Sequence, residues 1–179
     1  MSGTAGGGTG PTIHASAVLV GARAVLIRGP SGAGKSRLAF DLILAGRSGQ
    51  IPPTVLVGDD RLHVDARGDV LVARPARELE SLIEIRGLGI RRCDFVAEAT
   101  IGLVVDLAAP DAERLPPRHA LVTTMFGVKI PRIPVPSGFA PLPLVVAALT
   151  TTESSSSVNL SGDCLKGIGN HMSPTIATE

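Results

Sequence analysis

Ala24-Val25-Leu26-Ile27-Arg28, followed at once by Gly29-Pro30-Ser31-Gly32-Ala33-Gly34-Lys35-Ser36, decides the fold. The first five residues are a short apolar run of buried-strand composition, and the next eight fit G-x-x-x-x-G-K-[ST], a loop that cradles nucleotide phosphates between a strand and a helix. Glycines let successive backbone N–H groups turn inward around a β-phosphate, Lys35 brings a charge to the β/γ oxygens, and Ser36 offers a hydroxyl to a magnesium ion. The alternative is a bland glycine-rich turn, but both flanks comply with the motif. Arg37-Leu38-Ala39-Phe40-Asp41-Leu42-Ile43-Leu44-Ala45-Gly46 places Leu38, Leu42 and Ala45 on one helical face and stops on a glycine. Gly29, Pro30, Ser31, Gly32, Ala33, Gly34, Lys35 and Ser36 are therefore the candidate nucleotide-binding residues.

With 179 residues, 44% of them hydrophobic, the chain fits one globular catalytic domain. A net charge of +1, four Phe and neither Trp nor Tyr provide no basic footprint and no stacking surface for nucleic acid. Cys93 and Cys164 stand far apart without metal-ligand spacing, so no disulfide framework or zinc site is indicated and a reducing, cytoplasmic setting is expected. No charged start with an apolar core marks a leader, and no apolar run approaches the roughly 18 residues of a membrane span. A soluble protein is expected.

Residues 1–11 are mostly glycine, serine and threonine with little to bury, which predicts a disordered N-terminal segment. Ile13–Val20 and Ala24–Arg28 read as a hairpin turning at Gly21-Ala22. Thr54–Gly58 is a further buried strand, and Arg61–Val64 with Val70–Ala73 form a second hairpin around Arg67-Gly68-Asp69. Ser81–Ile85, Ile101–Leu107 and Ala120–Thr124 are strand-like, while two prolines in Val128–Val135 predict an edge strand. Pro141–Leu149 reads as a last helix. The stretch 150–179 opens on Thr/Ser repeats without an apolar period, which predicts a polar, disordered tail beyond a domain spanning 12–149. The fold class is α/β, a P-loop domain with a mixed, strand-rich sheet.

A second, acidic site must say what happens to the phosphate. Apolar strands run into Asp59-Asp60 and into Asp106, and either place can supply a carboxylate for magnesium or its water. The adjacent pair is the stronger candidate, because one carboxylate can hold the metal while the other, here Asp59, accepts a proton from an incoming hydroxyl. The pair titrates as a unit, and a simple Gly58-Asp59-Asp60 turn stays open. Glu84 lies in an apolar context that demands a partner, either magnesium or a neighbouring Arg86 or Arg91. His14 is equally a plain strand histidine or a helper to the phosphate site.

His14, Gly29–Ser36, Val57-Gly58-Asp59-Asp60, Glu84-Ile85-Arg86-Gly87-Leu88-Gly89, Lys129-Ile130-Pro131 and Val135-Pro136 occur in the order seen in HPr kinase/phosphorylase, and the chain resembles that family from Thr12 to Leu149. Glu-Ile-Arg-Gly-Leu-Gly is far more discriminating than the glycine loop. The resemblance implies a fold similar to the nucleotide-binding part of phosphoenolpyruvate carboxykinase. It also implies an ATP-dependent kinase for a serine of the phosphocarrier HPr in the phosphotransferase system and carbon metabolism, with dephosphorylation by phosphorolysis. Carried onto this chain, Gly29–Ser36 and Lys35 hold ATP, Ser36 and Glu84 hold Mg2+, Asp59 and Asp60 supply the base, and His14 assists them.

The chain departs from the family pattern in three ways. The separate N-terminal domain of longer members is missing, which reads as a short form with the catalytic domain only. The connection before Asp59, through Ser48-Gly49-Gln50-Ile51-Pro52-Pro53, is longer. Ser137-Gly138-Phe139-Ala140 stands where longer members carry Arg-Pro-Gly-Arg-Asn, which bears on dephosphorylation and on the family's hexameric homo-oligomer. The rivals are a small-molecule P-loop kinase and a non-catalytic nucleotide-sensing module. Arginines grouped at Arg86, Arg91 and Arg92 rather than in a lid argue against the first, and intact Lys35, Ser36, Asp59 and Glu84 against the second.

Overall fold

In a computed structural model, residues 12–152 are described, so the expectations for 1–11 and 153–179 lie outside the described residues. The apolar run before the glycine loop forms β2 (Arg23–Arg28), paired antiparallel with β1 (Ser16–Val20) across a two-residue turn at Gly21-Ala22. Regular pairing starts at Ser16 rather than Ile13. Ile13 instead bridges to Leu62 by two backbone hydrogen bonds of 2.8 and 3.0 Å. The glycine loop then feeds α1 (Lys35–Arg47), and β3 (Thr54–Gly58) returns to pair antiparallel with β1.

The hairpin β4 (Leu62–Arg67) and β5 (Val70–Pro75) turns at Gly68-Asp69, two of the three residues expected there. A smaller hairpin, β6 (Leu82–Ile85) and β7 (Gly89–Arg92), stands off the main sheet. β8 (Ala99–Leu107) is the axis of the sheet: it runs parallel to β2 and to β10 (Val128–Val135), and its first two residues pair antiparallel with β5. β9 (Val122–Met125) lies outermost, and α2 (Pro141–Thr150) closes the described fold. The order β3-β1-β2-β8-β10-β9 is thus a mixed sheet, and the strand-rich α/β expectation holds at that level.

Three local expectations change. β10 is not an edge strand. Val128–Pro131 pairs only with β9 and Arg132–Val135 only with β8, so each proline sits in a half-strand with one ladder. Ala120-Leu121 belongs to a 3-10 turn (Arg118–Leu121), so that strand starts at Val122. α2 continues to Thr150, where the tail was expected to begin.

β2 reads as an unbroken apolar run because both of its faces are buried. Val25 and Ile27 face α1 and α2, packing with Leu38, Leu42, Ile43, Ile83 and Val145. Ala24 and Leu26 face the β4–β5 hairpin, packing with Leu62, Leu71 and Ala73. Full burial of a Leu or Ile side chain contributes about 1.5–3 kcal/mol, so the α1 stripe at Leu38, Leu42 and Ile43 seats the helix, and with it the loop before it. Among the described residues no helix is long and apolar enough to cross a membrane.

α1 also packs tightly at its end. A Cβ on Gly46 would stand 2.7 Å from Thr54 Oγ1 and 2.8 Å from its backbone nitrogen. Gly46→Ala, a change that gains about 1 kcal/mol in an open helix, should here cost about 1–3 kcal/mol through overpacking. Urea denaturation reads the sign directly.

Candidate nucleotide and catalytic site

Gly29 begins the loop in close contact with β8: a Cβ there would lie 2.8 Å from the Leu107 carbonyl oxygen, so only glycine fits without a shift. Pro30 O accepts from Ala33 N–H at 3.2 Å, folding the loop back. Gly34, at φ 95°, is the N-cap of α1 and carries no side-chain acceptor. The first helical bond runs from Leu38 N–H to Gly34 O, which leaves the amides of Lys35, Ser36 and Arg37 outside the helical ladder. The first turn holds no acidic residue. A helix start that is positive by its dipole and lacks its own cap suits an external anion. Lys35, only 6% exposed, donates from Nζ to Gly29 O at 3.0 Å and Pro30 O at 3.1 Å, which keeps its ammonium over the loop.

Opposite the loop, the end of β3 sends its two carboxylates different ways. Asp59 is 4% exposed; its Oδ1 accepts from Ser16 Oγ at 2.5 Å and its Oδ2 from the Glu84 backbone N–H at 3.1 Å. Asp60 has a left-handed backbone at φ 68°, which Asp tolerates better than most residues, and its side chain is 57% exposed. The Ile13–Leu62 bridge brings His14 alongside, with Nε2 3.1 Å from Asp60 Oδ1. Glu84 is exposed on β6, held there by the buried Ile83 and by its own amide bond to Asp59. Among the described residues no arginine lies within ion-pair distance of Glu84.

These groups share one cleft of about 730 Å³. His14, Ser31, Gly32, Gly34, Lys35, Ser36, Asp59, Asp60 and Glu84 line it, while Gly29, Pro30 and Ala33 shape the loop from behind. Sequence reasoning missed several lining residues. Ser16 had a signal, since a serine inside the apolar run Ala15–Val20 must find a partner when buried. Phe40 and Leu44 also had one, being apolar yet outside the Leu38/Leu42/Ala45 face. Arg86 stood inside the discriminating Glu84–Gly89 element but was weighed only as a partner for Glu84, and Arg37, paired with Asp41 at 3.2 Å, had no such signal.

Asp106, the alternative strand-end carboxylate, does not line the cleft. Its oxygens accept from Arg28 Nε and Nη2, both at 2.7 Å, and from Arg132 Nε at 2.5 Å. Burial pushes the Asp106 carboxyl up, but the hydrogen bonds and charges of the two arginines outweigh it and hold the group below its ordinary value of 3.8. The unfolded chain therefore binds more protons in acid. The stabilisation is complete above about pH 4 and is lost as pH falls through the folded value. Urea midpoints from pH 7 to pH 2.5 should show Asp106→Asn well below wild type at neutral pH, with the gap closing below about pH 4.

The fold and cleft define an α/β domain whose glycine loop and helix start face a carboxylate-bearing hairpin. The sequence model of the HPr Serine kinase C-terminal domain matches residues 9–159, and the chain belongs to that family. It is 32% identical over 135 residues to the HPr kinase/phosphorylase of Chlorobium phaeobacteroides, covering 69% of this chain and 40% of that protein. It is 34% identical over 137 residues to the enzyme of that name from Limosilactobacillus reuteri, covering 70% and 40%. The chain thus spans about two fifths of the length of these relatives. The solved Hpr(Ser) kinase/phosphatase of Coxiella burnetii superposes with a TM-score of 0.61 at 27% identity, over 78% of this chain and 93% of that one.

Proposed function

We propose that this chain is an ATP-dependent serine kinase that phosphorylates the phosphocarrier HPr and so acts in the control of carbon metabolism. One observation carries the reading: the Gly29–Ser36 loop, the Asp60–His14 pair and Glu84 converge on one cleft, in a chain of this family. The uncapped α1 amides and Lys35 supply donors for the β- and γ-phosphates. Ser36 and Glu84 offer two oxygen ligands, the donor type Mg2+ takes when phosphates and water complete its shell. When bound, that ion neutralises charge building on the transferred group.

Exposure supports a division of labour opposite to the sequence expectation. Asp60 reaches the cleft and is the proton acceptor for the serine hydroxyl, with His14 fixing its orientation. Asp59, with both oxygens already engaged, is the positioning residue that holds Ser16 and the Glu84 backbone together. As the serine oxygen attacks the γ-phosphorus, its proton passes to Asp60, the bond to the β-bridging oxygen breaks, and ADP leaves. In phosphorolysis a phosphate oxygen attacks the phosphoserine, the serine oxygen recovers its proton from Asp60, and pyrophosphate leaves. The same residue serves as base one way and acid the other.

Incubation with ATP, Mg2+ and candidate phosphocarriers, followed by mass spectrometry, should locate one phosphoserine; turnover of a small-molecule acceptor alone would reject the reading. Lys35→Ala should abolish turnover in a folded protein. Asp60→Asn should keep MgATP binding and lose about two to four orders of magnitude in single-turnover rate. Asp59→Asn should instead lose about 1–3 kcal/mol of stability, because the buried Ser16 hydroxyl must turn to accept from the new amide nitrogen and its own proton is left without an acceptor. A larger rate loss in Asp59→Asn than in Asp60→Asn would return the base role to Asp59.

A further inference from the structure

A half-buried chain of alternating charge lies behind the glycine loop, away from the cleft. Arg28, the last residue of β2, stands in register with Asp106 on the parallel strand β8 and grips both of its oxygens in a fork. Arg132 on β10 donates to Asp106 and, through Nη1 and Nη2, to Asp111 at 2.6 and 2.9 Å; Nη1 also donates to Ala120 O at 3.0 Å. Two arginines and two aspartates balance in charge. The next residue on each strand is also in contact, since Gly29 packs on Leu107. Beyond Leu107 the chain turns left-handed at Ala108, and Ala109 N–H donates to Val135 O at 2.9 Å.

A partly buried ion chain is poor material for stability alone, because desolvation offsets most of its attraction. Its value is geometric. A bidentate Arg–carboxylate pair fixes distance and plane together, and here it does so one residue before the loop leaves the sheet. We propose that Arg28, Asp106 and Arg132 are positioning residues for nucleotide binding. They lock the C-terminal ends of β2 and β8 to each other and to the middle of β10, so that Gly29–Ser36 departs at a fixed height and angle. None of the three lines the cleft. Their effect on the phosphates passes through the loop backbone, and the proposal rests on the nucleotide reading above.

The test uses Arg28→Met, Arg28→Lys, Asp106→Asn and the double variant Arg28→Met/Asp106→Asn, with MgADP binding by calorimetry and amide hydrogen exchange without nucleotide. The expected result is an about tenfold rise in the MgADP Kd and in KM for ATP, with kcat and the phosphocarrier KM within about twofold. The double variant should lose no more than the worse single one, as residues acting as a unit do. Faster exchange should be confined to the amides of Gly29–Ser36 and their neighbours on β2 and β8. Arg28→Lys keeps the charge without the fork and guards against misfolding of the methionine variant; it should show the same shift in smaller degree. Unchanged MgADP affinity in folded variants that wild type exceeds only in melting temperature would overturn the proposal alone. Failure of the wild-type protein to bind MgADP would overturn the nucleotide reading and this proposal with it.

Discussion

Asp59 holds the cleft together. It is a carboxylate almost removed from water and, among the described residues, it has no cation within ion-pair distance; its compensation comes from the Ser16 hydroxyl on β1 and the Glu84 amide on β6. A buried charge must be satisfied by donors at fixed positions or it is too costly to keep. That requirement makes Asp59 a three-way joint. It forces β1, β3 and the β6–β7 hairpin to one spacing, and this spacing brings the Glu84 side chain to the same cleft as Lys35 and Ser36. Asp60, one residue on, is free to face solvent because Asp59 has taken the interior position.

The other side of the cleft depends on strand direction. β2 and β8 run parallel, so both end at the same edge of the sheet, where open α/β sheets bind ligands. The glycine loop leaves from that edge and α1 carries it across one face, seated by Leu38, Leu42 and Ile43. Reversing β8 would place Asp106 at the opposite edge from Arg28 and leave the loop without lateral support. Parallel pairing is therefore a condition for the loop's position as much as for the sheet.

Much of this was legible in the sequence because it is written in short-range chemistry. The strand-loop-helix unit at Ala24–Gly46 carries its own turn residues and helical period, and the alternation of apolar runs with Gly/Pro/Asp turns marked the β1–β2 and β4–β5 hairpins. What failed depended on partners distant in sequence. Pro131 and Pro134 forbid two-sided ladders, and that was read as an edge; β10 meets the same restriction by dividing its pairing between two neighbours along its length. Asp59 and Asp60 are indistinguishable by composition, and only the left-handed turn at Asp60 with Ser16 across the sheet decides which one is buried. Asp106 looked like a metal ligand because a strand-end carboxylate reads the same whether it faces a cleft or an arginine 26 residues away.

Two buried or half-buried aspartates thus flank the glycine loop, and they are satisfied by opposite means. Asp59 is held by neutral donors, Asp106 by two guanidinium groups. The difference follows from what each must do. Under the proposed function, a side-chain cation beside Asp59 would sit in the cleft and compete with a bound metal ion for Glu84 and Asp60, whereas neutral donors add no charge there. Arg28, Asp106 and Arg132 stand outside the cleft lining, where a strong, directional ion pair can fix strand ends without adding charge to the cleft. The placement of charge is therefore asymmetric about the loop: two guanidinium groups fix Asp106 behind it, while the carboxylates facing the cleft, Asp60 with its lighter contacts to His14 and Arg61 and the exposed Glu84, carry the proposed handling of a cation and a proton.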